Sequence, residues 1–286
     1  MAKLIETTPY PGIDGVKENI DFYKQMFIDN SIIAFRGADI TFDEQDELIK
    51  VLGESFGWML SGIYDEDHSR TVQKRANNEY MLTWHVEHAY WERPVLGAAW
   101  YMHTFTEDPK NGRTTFYPMH KLFKELNPEW QDLALSAYIE AENYPELGQP
   151  VAEFFDNNKF WAEGETYVAN RAIAIPHFIT GEPTYRIANL GCKPETYDHI
   201  HRLNNVNGAE PTEEQQKMYY EMNKYVVDKI NTPIDDADDS HMVHEWRQGD
   251  ILIPDLFTMA HSVLGGFESS KRKFRGIWTG LPEYKN

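Results

Sequence analysis

The sequence is short of three things. It has one cysteine, Cys192, in 286 residues. A single thiol excludes an internal disulfide and any zinc site built on paired cysteines, and Cys192 reads as a plain buried or loop thiol. It has no run of about 18 apolar residues, so no transmembrane helix is expected. The opening MAKLIETTPYPG carries no signal-peptide core, and the expected location is cytoplasmic. Positive charge is also scarce: Lys plus Arg number 27 against 46 Asp plus Glu, a net charge of −19. So acidic a chain is a poor match for a nucleic-acid backbone or an anionic membrane, although a few local arginines can still hold a small anion. Repeats, low-complexity tracts and Gly/Ser linkers are missing too, so one domain over residues 1–286 is expected. The composition leaves the oligomeric state open, a homo-oligomer included.

What is present is apolar material for a core: 41% hydrophobic and 14% aromatic residues, which predicts a globular chain rather than a disordered one. Val16, Ile20, Tyr23 and Phe27 fall at helical spacing. Ser31 to Phe35 reads as a strand. Thr41 and Glu44 form a capping box ahead of Leu48, Val51, Leu52 and Phe56. Six further segments are β-prone: Gly97 to Thr104, Thr114 to Tyr117, Ala172 to Phe178, Thr184 to Ala188, Ile251 to Ile253 and Phe274 to Thr279. Gly181 predicts a hairpin turn between the third and fourth of these. Asn127 with Pro128 predicts a helix start. Thr212 with Gln215 boxes a longer helix carrying Met218, Tyr219, Met222, Val226 and Ile230. Asp235 to Asp239 reads as a solvated loop. Many short strands with long connections predict a mainly β protein with α: a β-sandwich or jelly roll with helical insertions.

The candidate chemistry sits in Trp84-His85-Val86-Glu87. On a strand, positions i and i+2 share a face, so His85 and Glu87 can reach one ion. Alone the triplet says little, because acidic residues are common here. Downstream, Gly249 to Asp255 reads as turn, strand and stop, and His261 follows. A His, a carboxylate two residues on and a distant His make a 2-His-1-carboxylate set, which leaves positions open and suits Fe(II). A keto acid chelating that metal leaves its far carboxylate for a guanidinium, and Arg272 and Arg275 are at hand. The same three ligands also suit a zinc hydrolase, which gives no reason for the arginines. A catalytically silent jelly-roll binding protein is the third reading.

Five segments in order, over about residues 30 to 280, resemble the taurine dioxygenase-like (TauD/TfdA) Fe(II)/2-oxoglutarate-dependent oxygenases. They are NSIIAFRGADITFDEQDELIKVLGESFG, WHVEHAYWERPVLGAAWYMHTF, NGRTTFYPM, HFITGEPTY and HEWRQGDILIPDLFTMAHS. The resemblance implies a double-stranded β-helix (jelly roll) and Fe(II) held by His85, Glu87 and His261. It implies that Thr114 helps hold 2-oxoglutarate and that an arginine pairs with its distal carboxylate. Counting forward from His261 favours Arg272; matching the strand end Arg275-Gly-Ile-Trp-Thr-Gly favours Arg275. The implied reaction consumes O₂ and 2-oxoglutarate, releases succinate and CO₂, and hydroxylates or desaturates a small molecule.

The departures bear on that molecule. Glu87 stands where most members have Asp, as in the branch resembling clavaminate synthase and the amino-acid β-hydroxylases; it keeps a carboxylate on the metal and leaves the substrate open, an amino acid or a derivative included. The usual Trp-Asp-Asn before the second His is Pro254-Asp255-Leu256. The arginines are spaced by three, not by the four of sulfonate-cleaving members, so taurine is a weak match. ANNEYMLTWH, NGRTTF and RKFRG are also similar to oxygenases acting on isonitriles made from aromatic amino acids. Trp84, Tyr90, Trp91, Phe257 and Trp278 are expected to wall the pocket, and His88 to face the substrate.

Overall fold

The computed structural model describes residues 2–57, 59–64, 80–87, 95–143, 167–186, 201–205 and 207–280. The first elements are β1 (Lys3–Leu4), β2 (Thr8–Pro9), α1 (Gly12–Glu18), α2 (Ile20–Asn30), β3 (Ile32–Arg36), α3 (Phe42–Ser55) and β4 (Met59–Tyr64). Then come β5 (Tyr80–Val86), β6 (Val95–Phe105), β7 (Thr114–Pro118), α4 (Met119–Glu125), α5 (Pro128–Ser136), β8 (Ala137–Asn143) and β9 (Tyr167–Ala172). The last are β10 (Ala174–Pro176), β11 (Pro183–Tyr185), β12 (His201–Asn205), α6 (Glu213–Ile230), β13 (Met242–His244), β14 (Ile251–Pro254), β15 (Met259–Leu264) and β16 (Arg272–Gly280).

Local chemistry sets the helix ends. Thr41 and Glu44 close a full capping box at α3, and Thr212 and Gln215 do the same at α6. Asn127 Oδ1 accepts the Trp130 N–H at 2.8 Å, with Pro128 in the first helical position of α5. The single first helix expected from Val16 to Phe27 is instead two. Its backbone departs from helical geometry at Asn19, whose side chain donates to the Gly15 carbonyl at 2.9 Å and so competes with the helical ladder.

Two sheets face each other. One has the strand order β2-β3-β14-β6-β16-β4, the other β1-β13-β7-β15-β5. Between them lies an interior lined by Trp100, Met102, Phe105, Phe116, Trp246, Leu252 and Met259, with Phe274 and Trp278 packed against it. The outer face of the first sheet carries Phe35, Ala99, Tyr101, Ile251 and Ile277, covered by Val16, Phe27, Leu48, Ile49 and Leu52 of the N-terminal helices. The outer face of the second carries Trp84, Val86, Tyr117 and Ala260. It is covered by α4, α5 and α6 and by a small sheet, β12-β8-β9. Two facing sheets with helices outside them are the jelly-roll arrangement with helical insertions.

Strand alternation assigns each side chain to a layer. On β6, Trp100 and Met102 face the interior while Ala99 and Tyr101 face the helices. Ala172 to Phe178, expected as one strand, changes sheet: β9 pairs with β8, and β10 pairs with β11 as a hairpin. The break is at the bend of Ile173, whose N–H goes to the Ala137 carbonyl at 3.5 Å while its own carbonyl accepts the Arg186 N–H at 2.8 Å. The expected strand from Thr184 is ordered as β11 up to Tyr185, and Ala188 lies outside the described residues.

Gly249 shows why the turn before β14 needs its glycine. Its φ is +82°, and a Cβ there would sit 2.6 Å from the Ala38 carbonyl oxygen. The close approach lets Ala38 N–H reach Gly249 O at 2.8 Å and Gly249 N–H reach Met102 O at 2.9 Å. This seats β14 between β3 and β6.

Candidate metal centre

β5 and β15 are antiparallel neighbours, and their register puts His85 directly opposite His261. Trp84 and Val86 face outward into the helical layer, so alternation turns His85 inward. Ala260 faces outward as well, which turns His261 inward. The two imidazole rings are 4.1 Å apart between centroids. Glu87 lies in the turn just beyond β5. Its Oε2 is 3.3 Å from His261 Nε2 and 3.8 Å from His85 Nε2. One ligand atom from each of the three residues lies within 4.8 Å of the others. Two donors about 2.1 Å from one first-row ion are at most about 4.2 Å apart. The carboxylate meets that limit with both imidazoles, and the three donors stand close enough together to converge on one ion. Three protein donors leave positions open on it.

A row of aromatic rings leads away from His261. Trp100 lies 5.1 Å from the His261 ring, Phe116 stacks on Trp100 at 5.8 Å, and Phe274 is 6.3 Å from Trp100. Trp246 meets Phe274 edge-on at 5.6 Å, and its Nε1 donates to Thr114 Oγ1 at 2.9 Å. At the far end the Arg272 guanidinium carbon lies 5.0 Å from the Phe274 ring centre and 4.9 Å from that of Phe267. Arg272 is 8% exposed and shares the interior face of β16 with Phe274. His85, Glu87, His261, Thr114 and Arg272 therefore border one interior.

Arg275 has the opposite parity and turns the other way. Its Nη1 donates to Asp46 Oδ1 at 2.7 Å, to Phe42 O at 3.0 Å and to Gln45 Oε1 at 3.2 Å, all at the start of α3. Gln45 in turn donates to the Ala99 and Arg275 carbonyls, which ties α3 to β6 and β16. The side chain the sequence left level with Arg272 is a tie between helix and sheet.

Among the aromatics expected at the pocket, Trp278 packs against the interior cluster. Trp84 and Phe257 do not line it. Trp84 faces outward from β5 and meets His241 at 5.9 Å. Phe257 belongs to the core under the N-terminal helices and lies beneath Arg186 at 4.3 Å. His88, Tyr90, Trp91 and Cys192 fall outside the described residues. Sequence reasoning missed Trp100, Phe116 and Trp246. β6 reads VLGAAWYMHTF and is buried nearly throughout, so nothing in its sequence marks which face is the interior.

Two buried polar clusters brace the strands around the site. Asp250 accepts from Arg36 Nε at 2.9 Å, Arg36 Nη2 at 3.0 Å and the Arg247 N–H at 2.9 Å, and pairs with His244 Nε2 at 3.0 Å. Burial works to raise its pKa, but the bonds from His244 and Arg36 outweigh it and hold the carboxyl below its usual range. In the second cluster Asp255 accepts the Phe257 and Thr258 N–H groups at 3.0 and 3.2 Å and sits 3.3 Å from His177 Nε2. Arg186 donates to the Phe257 carbonyl at 2.6 Å. This cluster fixes the turn from which β15 carries His261.

Burial pushes Asp255 up to about 7. It pushes His177 down to about 4, aided by the charges of His120 and Arg186. His120 is likewise lowered by burial to about 4. Across about pH 6.5 to 4 the unfolded chain binds more protons at the two histidines than the folded one, so their contribution to stability falls as pH drops. Asp255 acts in the opposite sense: its folded pKa lies above the unfolded value, so its contribution falls as pH rises through 7. The melting temperature of metal-free protein should fall between pH 6.5 and 4. His120→Asn should flatten that fall and Asp255→Asn should steepen it. Identical pH profiles for the three proteins would refute the assignment.

The family model for taurine catabolism dioxygenase TauD, TfdA family matches residues 10–278. No curated protein sequence matches the chain. Among solved structures, the chain is similar to AAD-2 in complex with Mn(II) and N-oxalylglycine. The TM-score is 0.63 at 15% identity, over 96% of this chain and 90% of that one. A second is an alpha-ketoglutarate-dependent taurine dioxygenase, so named by inference, from Burkholderia xenovorans. There the TM-score is 0.59 at 14% identity, over 92% and 83%. A third is the PvcB protein from Pseudomonas aeruginosa, with a TM-score of 0.56 at 16% identity, over 97% and 89%. At these identities the solved structures speak for the fold. The family model covers nearly the whole chain, and the zinc-hydrolase and silent-fold readings give way to it. The chain belongs to the taurine catabolism dioxygenase TauD, TfdA family and is an oxygenase dependent on Fe(II) and 2-oxoglutarate.

Proposed function

We propose that His85, Glu87 and His261 hold the iron, that Arg272 pairs with the distal carboxylate of 2-oxoglutarate beside Thr114, and that the molecule oxidised is a small amino acid or amino-acid derivative. The observation that carries the co-substrate assignment is the shared interior. The His261 ring, the Trp100 and Phe274 rings and the Arg272 guanidinium follow one another along it. Arg275, engaged by α3, is left out of this role.

Iron with 2-oxoglutarate and dioxygen supplies an oxidant able to take hydrogen from an unactivated C–H bond. The chain's own part is to bind, orient and exclude water. Trp100 and Phe116 lie against His261 and keep water from that side of the ligand. Thr114 Oγ1 accepts the Trp246 N–H, and a hydroxyl that accepts can also donate its hydrogen to a carboxylate. Arg272 offers paired N–H groups matched to a carboxylate's two oxygens. Glu87 supplies the anionic ligand, and Glu at this position, as in the branch resembling the amino-acid β-hydroxylases, is compatible with an amino-acid substrate. No nucleic-acid partner belongs to the same reading, on the net charge of −19, and a cytoplasmic location belongs to it on the single cysteine. Among the described residues no helix is long and apolar enough to cross a membrane.

The test has two arms. Without oxygen, adding Fe(II) and 2-oxoglutarate together should give a weak absorption band in the green. With oxygen, succinate release should rise on adding one member of a panel of amino acids and their derivatives. No band with both added would remove the iron and co-substrate assignment. A band with no response to any panel member would remove the substrate class alone.

A further inference from the structure

The segment Asn111-Gly112-Arg113 and the loop between β15 and β16 have no part in the function as stated, yet they are laced together. Gly112 N–H donates to Gly265 O at 2.8 Å and Leu264 N–H to Arg113 O at 2.8 Å. Thr106 N–H donates to Lys271 O at 3.0 Å. Glu107 takes the Glu268 N–H at 3.1 Å, and Lys271 Nζ lies 3.5 Å from it. Phe267 is held inside this lacing, 5% exposed. Gly112 has φ +64°, and a Cβ there would lie 2.6 Å from Phe267 Cδ1 and 3.1 Å from its Cγ. The absence of that Cβ is what lets the ring come this close to the loop. The ring's centre is then 4.9 Å from the Arg272 guanidinium carbon.

We infer that Phe267, seated on Gly112, is a positioning residue for 2-oxoglutarate: with Phe274 it packs against the Arg272 guanidinium and fixes where that group stands. This rests on the assignment of Arg272 above. An arginine side chain has four rotatable bonds, and ordering it on binding costs affinity. A cation over a desolvated ring face is held there electrostatically. The guanidinium is therefore aligned before the co-substrate arrives. Lysine at 272 would lack the planar face on which this depends.

The experiment measures 2-oxoglutarate binding by calorimetry to the Mn(II)-loaded protein, which does not turn over. Phe267→Leu is expected to weaken binding about tenfold, the equivalent of one well-placed cation–π contact. Gly112→Ala, which pushes the ring aside, should act in the same direction. Mn(II) affinity should survive in both. In an Arg272→Ala background, Phe267→Leu should cost nothing further, because the residue it acts through is gone. If Phe267→Leu and Gly112→Ala keep normal affinity while Arg272→Ala loses it, Phe267 has no positioning role. An equal loss in both backgrounds means that Phe267 acts through the loop and not through Arg272, which also overturns the inference. If Arg272→Ala itself binds normally, the co-substrate assignment fails instead.

Discussion

His261→Ala should lose Fe(II) binding near neutral pH, by more than about a hundredfold in affinity. Changes to groups merely supporting a ligand cost ten- to a hundredfold, and this change removes one of three donors. It also removes the ring on which Trp100 and Phe116 lie, so the remaining pair, His85 and Glu87, loses its packed wall. His85→Ala should behave alike. Glu87→Asp should keep part of both affinity and turnover, since the charge survives but sits about one bond (~1.5 Å) further back. Anaerobic calorimetry with Fe(II) reads all three variants. Unchanged affinity in either histidine variant would mean the metal is held elsewhere.

Arg272→Ala and Arg275→Ala should fail in different ways. Truncating Arg272 leaves the distal carboxylate of 2-oxoglutarate unpaired in a buried site, at a cost of roughly 3–5 kcal/mol. That is over a hundredfold in co-substrate affinity. Arg275 is buried as deeply, but its partners are Asp46, Gln45 and the Phe42 carbonyl. Its loss should instead lower folding stability, by about 1–3 kcal/mol, with 2-oxoglutarate affinity nearly unchanged. Urea melts and co-substrate titrations on both variants separate the two. The reverse pattern would exchange the roles, and normal affinity in both would remove the arginine anchor altogether.

That pair of arginines shows where the sequence stops being readable. Parity along a strand says that residues 272 and 275 face opposite sides. It does not say which side is the interior. That is decided by α3, more than two hundred residues earlier in the chain, which presents Asp46 and Gln45 to one face only. Helix starts were legible because a capping box is a contact between residues three apart, as at Thr41 and Thr212. β15 was not legible as a strand, because MAHSVL is buried almost throughout and shows no alternation to set it apart. The small sheet was missed for a similar reason: β8 begins directly where α5 ends and pairs with strands far along the chain. The three residues proposed to hold the metal stand in the sequence as residue types in order. That His85 and His261 lie exactly across from each other is a matter of register, which only the assembled sheet sets.

The His85–His261 pairing has a consequence for how the sheet holds together. β5 is the outermost strand of its sheet, and among the described residues its ladder is to β15, with the register slipping beyond His261. Edge strands are where local opening is easiest. The two strands are also remote in sequence, so closing them against each other is a late and costly step in folding. On the proposed ligand set, an ion bridging His85 and His261 is a staple across that seam. Binding energy spent there appears as resistance of β5 to peeling away, so loading the metal and sealing the edge of the sheet are a single equilibrium.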